Sequence, residues 1–87
     1  MNESQRKIVE GLTSVVNGLL DESKATSEFC KGSNLGVVSE LLKESKKFID
    51  LGRSNYYRVF FPKEELQKLE MRYRAVNNSL RNKLDLE

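Results

Sequence analysis

Between residues 62 and 84, Leu66, Leu69, Tyr73, Val76 and Leu80 recur at alternating spacings of three and four, and Leu84 closes the row. At about 100° per residue the six positions fall within an arc of roughly 80°, narrower than the apolar face of an ordinary globular helix. A row this narrow is a packing seam that needs another helix to lie against. It predicts a coiled-coil-like C-terminal helix over 62–84 and a chain that associates. Pro62 suits the first helical position, and Glu64 and Glu65 suit the positive end of the helix dipole.

Two further helices are legible. Over 4–30, Ile8, Val9, Leu12, Val15, Val16, Leu19 and Leu20 form a stripe roughly 140° wide, with Glu10, Asn17 and Asp21 opposite. Ser4, Gly11, Gly18 and Ala25 follow one edge of that stripe at intervals of seven. A glycine inside a helix costs about 1 kcal/mol relative to alanine, so either a second backbone approaches closely here or a long helix tolerates the loss. The polar run from Asp21 to Glu28 predicts fraying or a break. Gly32 reads as a stop and Ser33 or Asn34 as the cap of a helix over 34–51. Its apolar positions are Val37, Val38, Leu41, Leu42, Phe48 and Ile49, and Gly52 ends it. The fold expected is all-α: a helical hairpin plus a third helix, in one small domain spanning 1–87.

The connector over 53–61 holds Tyr56, Tyr57, Phe60 and Phe61, four of the chain's seven aromatic residues. Pro62 biases Phe61 away from helical dihedrals, so the segment is either a short extended stretch or one helical turn. Arg53 and Arg58 flank the rings. Interfaces concentrate binding energy in this composition, because aromatic and arginine side chains bury large areas at low rotamer cost. Arg53, Tyr56, Tyr57, Arg58 and Phe60 are the candidate partner-binding residues. The competing reading has two or three of the rings closing the end of the helical core, with alternate residues inward and outward.

Size and composition narrow the rest. A chain of 87 residues buries only roughly 60–65% of its unfolded surface, which leaves it marginal without help. One cysteine, Cys30, provides no disulfide, and the lack of histidine removes the usual zinc site. Oligomerisation, most simply as a dimer, is the remaining remedy. No signal peptide and no membrane-spanning segment is expected, so the expected location is cytoplasmic.

Catalysis is not expected. Without histidine there is no base poised near neutral pH, and Cys30 lacks an imidazole partner and reads as a small core residue. No metal and no cofactor is expected: the Gly32 to Gly36 stretch lacks the lysine and preceding strand of a phosphate-binding loop. The charge is uneven, with 7 bases and 8 acids over 1–50 against 8 bases and 5 acids over 51–87. Arg72, Arg74, Arg81 and Lys83 form a local basic patch and are the candidate phosphate or nucleic-acid contacts; the plainer reading is a solvated helix flanking its seam. The leading expectation is a small non-enzymatic regulator that binds another protein as an inhibitor, adaptor or chaperone-like subunit. The alternatives are a nucleic-acid-binding regulator using the basic C-terminal half, and a binder of a small anionic ligand such as a nucleotide at a subunit boundary.

Overall fold

The structure, a computed structural model, describes residues 2–29 and 35–86, with Phe29, Leu35 and 83–86 described in their backbone alone. It consists of α1 (Glu3–Phe29), α2 (Leu35–Arg53) and α3 (Lys63–Leu86), and no strand occurs among the described residues. Each helix packs on the other two. Against α2, α3 runs antiparallel: Leu66 meets Gly52, Glu70 pairs with Arg53, and Tyr73 shares a cleft with Ile49 and Lys46. Against α1 it runs parallel, with Arg72 reaching Asn17 and Asp21 while Val76 and Ser79 lie beside Lys24 and Ser27. The result is an up-down-up bundle, 47 × 16 × 16 Å.

The α3 row is buried inside the chain. Leu66, Leu69 and Leu80 are core residues, and Tyr73 and Val76 pack against that core half-buried. Leu84 lies outside the described side chains. Leu66, Leu69 and Leu80 of the narrow arc therefore pack within the chain, against α1 and α2.

In α1 the structure redraws the expected stripe. Val9, Leu12, Val16 and Leu20 are buried, whereas Ile8 and Val15 stand 39% and 44% exposed at its edge. The buried row then continues through Ser23 and Ser27 into the stretch expected to fray. Ser23 Oγ donates to the Leu19 carbonyl at 2.7 Å and Ser27 Oγ to that of Lys24 at 2.8 Å. These bonds satisfy the buried hydroxyls, and α1 stays helical to Phe29. Ser45 does the same in α2, donating to the Leu42 carbonyl at 2.8 Å. The start of α1 is fixed by a reciprocal capping box: Gln5 N–H donates to Asn2 Oδ1 at 2.8 Å, and Asn2 N–H donates to Gln5 Oε1 at 3.0 Å.

Two glycine readings change. Gly52 does not end α2, which continues to Arg53. It is buried, and a Cβ there would lie 2.7 Å from Leu66 Cδ2, so its role is to admit α3. Gly11 and Gly18 are the reverse case: they are exposed, and nothing lies within 4 Å of where a Cβ would be. Among the described residues, no other helix approaches them this closely. The expected cap at Ser33 or Asn34, the stop at Gly32 and the position of Cys30 lie outside the described residues.

Candidate functional site

The connector is neither extended nor a single turn. Arg58 N–H donates to the Ser54 carbonyl at 2.9 Å and Phe61 N–H to the Tyr57 carbonyl at 2.9 Å, with three-residue bonds from Tyr57 to Ser54 and from Phe60 to Tyr57 alongside. Two tandem turns result, and Pro62, which lacks an amide donor, closes them. The Pro62 carbonyl accepts the Leu66 N–H at 3.2 Å, which puts the proline one position ahead of α3, at its cap.

This winding sorts the side chains. Phe61 is a core residue at 3% exposure, and Phe60 packs half-buried against the same core. Tyr57 is half-buried, held edge-on by Tyr56 with ring centroids 5.0 Å apart and by Phe60 at 6.0 Å. Tyr56 and Val59 point away from the core, 75% and 82% exposed. Of the five candidate partner-binding residues, the structure leaves Tyr56 and Arg58 open, half-buries Tyr57 and Phe60, and ties Arg53 to Glu70.

Arg53 is the last residue of α2 rather than part of the connector. Its guanidinium and that of Arg74 both bind the Glu70 carboxylate, Arg74 Nη2 lying 3.1 Å from Oε1. Glu70 titrates below its ordinary value, chiefly through the hydrogen bond from Arg53, against the opposing effect of burial and with further help from the Arg53 and Arg74 charges. Arg72 leaves α3 on the other side, where it donates to Asn17 Oδ1 and, at 2.6 Å, to Asp21 Oδ1. Arg81 is exposed, and Lys83 lies in α3 with its side chain outside the described residues. Two of the four candidate phosphate contacts diverge: Arg72 faces α1, and Arg74 faces α2.

Beside the connector, between the end of α2 and the start of α3, lies an open groove of about 630 Å³. Phe61, Leu66 and Val59 provide its apolar surface; Arg53, Arg58 and Lys63 surround it, and Glu70 is its one acid. Among the described residues neither Arg58 nor Lys63 is in an ion pair. Arg53 and Glu70 also line a smaller cleft of about 160 Å³ containing Lys46, Asp50 and Arg74, so the two openings share this ion pair. Sequence reasoning missed Val59 and Glu70. The Glu70 to Arg74 spacing of four was a readable signal for a helical ion pair, whereas the Arg53 contact depends on how two helices meet.

Among the described residues, no cluster of three potential metal ligands occurs and no helix is long and apolar enough to cross a membrane. No protein-family model, curated protein or solved structure matches the chain.

Proposed function

We propose that this chain is a small non-enzymatic protein-binding regulator, an adaptor, inhibitor or chaperone-like subunit, that presents the connector end of its bundle to another protein. The observation that carries the reading is the division within residues 56–61. Phe61 is 3% exposed and completes the core, while Tyr56 and Val59 stand 75% and 82% exposed on either side of Arg58. An exposed aromatic and an exposed aliphatic side chain beside an arginine that pairs with no acid among the described residues are the ingredients of an interface anchor. The nucleic-acid alternative draws less support, because Arg72 and Arg74 leave opposite sides of α3 and both are engaged within the chain.

The test is site-specific crosslinking in the native host, with a photoreactive residue replacing Tyr56, Val59 or, as a control on the far surface of α3, Met71. Discrete crosslinked proteins from positions 56 and 59 that disappear on Arg58→Ala are the expected result. Equal crosslinking from position 71, or none from 56 and 59, removes the reading.

A further inference from the structure

We infer that the groove between the end of α2 and the start of α3 binds an acidic protein segment through one large apolar side chain, an inference that rests on the protein-binding reading above. Two features of the groove select this occupant. Its floor is apolar, with Phe61 and Leu66 held in place by the core, and Val59 forms an apolar lip that is 82% exposed. Its rim is cationic, and only one of its three cations is neutralised: Arg53 has Glu70, while Arg58 and Lys63 have no acid within ion-pair distance among the described residues. At about 630 Å³ the groove is large enough for a leucine or phenylalanine side chain together with part of its backbone.

Charge complementarity extends beyond the groove. The adjoining cleft adds Lys46 and Arg74 against Asp50, so groove and cleft together present five bases and two acids along the α2–α3 seam. Carboxylates flanking an apolar anchor would meet this excess of bases. A single-stranded nucleic acid fits the same charge but not the floor. The one ring lining the groove, Phe61, is 3% exposed, and Tyr56, the exposed ring of the connector, is not part of the groove's lining. No ring in the groove offers the open face on which a base would stack.

The experiment is fluorescence anisotropy on the intact chain, using short labelled peptides with acidic flanks and a central residue varied through leucine, phenylalanine, alanine and lysine. Single-stranded DNA of equal charge is the second probe. The leucine and phenylalanine peptides are expected to bind at least about tenfold more tightly than the alanine peptide, the factor expected from burying a large apolar side chain. The double change Arg58→Ala and Lys63→Ala should weaken them about tenfold with the melting temperature unchanged, and Arg81→Ala should have no effect. No peptide binding, equal binding of the leucine and alanine peptides, or tighter binding of the DNA overturns the inference. The two readings fail separately. A partner crosslinked from position 56 together with no selectivity for leucine leaves the protein-binding reading standing and removes this one.

Discussion

Gly52 and Leu66 meet so closely that a Cβ on the glycine would stand 2.7 Å from Leu66 Cδ2 and 3.6 Å from the Phe61 ring. Gly52→Ala therefore sets a helix-propensity gain of about 1 kcal/mol against overpacking of about 1–3 kcal/mol, and the expected outcome is a net loss of stability. Gly11→Ala and Gly18→Ala meet nothing within 4 Å and should each raise stability by up to about 1 kcal/mol. Thermal melts of the three variants check the contrast.

The buried row of α3 gives a second contrast. Tyr73→Asp or Val76→Asp places a carboxylate against the core and should cost several kcal/mol, roughly the desolvation of an unpaired polar group. Met71→Gln, on the face that is 66% exposed, should stay within about 0.5 kcal/mol of the parent. Urea titrations of the variants read both.

The connector rings should separate in the same way. Phe61→Ala removes a core side chain and is expected to cost about 3–5 kcal/mol. Tyr56→Ala, at 75% exposure, should leave the melting curve nearly unchanged, with Tyr57→Ala between them because its ring is half-buried. Equal losses from Tyr56→Ala and Phe61→Ala would contradict the sorting of side chains described for the tandem turns.

Glu70 links stability to pH. Its carboxyl titrates below its ordinary value of 4.5 in the folded chain, so the stabilisation is fully present above that value and is lost as pH falls through the lowered folded value. Solvent reaches the cluster, with Glu70 26% exposed and Arg53 44% exposed, so each pair contributes about 0.2–1 kcal/mol. Glu70→Gln should flatten the acid limb of a stability–pH curve and leave the neutral region slightly lower. An unchanged acid limb would show that the cluster contributes nothing.

Periodicity made the three helices and most of their inward faces legible, because a helix that must bury one side repeats its apolar residues at the helical period. Ser23, Ser27 and Ser45 were not legible as core, since a buried hydroxyl satisfied by its own helix looks, in sequence, like a solvated one. Nor was the role of Gly52, which depends on Leu66 from another helix. For the candidate site, Arg58 and Tyr56 could be singled out by residue type. The groove could not, because Val59 reads as core and Lys63 reads as a helix flank until the tandem turns bring both to one opening.

The capped start of α1 carries little inward anchorage. From Glu3 to Gly11 only Val9 is a core residue, and the glycine that follows it is open to solvent. Because α1 runs parallel to α3, these turns lie at the connector end of the bundle. Native-state hydrogen exchange should find amides of this segment opening at free energies well below that of global unfolding, while those around Val16 and Leu20 exchange only with the whole molecule. A partner docking on the connector would then meet the end of the molecule that opens first, and slower exchange over residues 3–11 in the complex would report contact without a mutation.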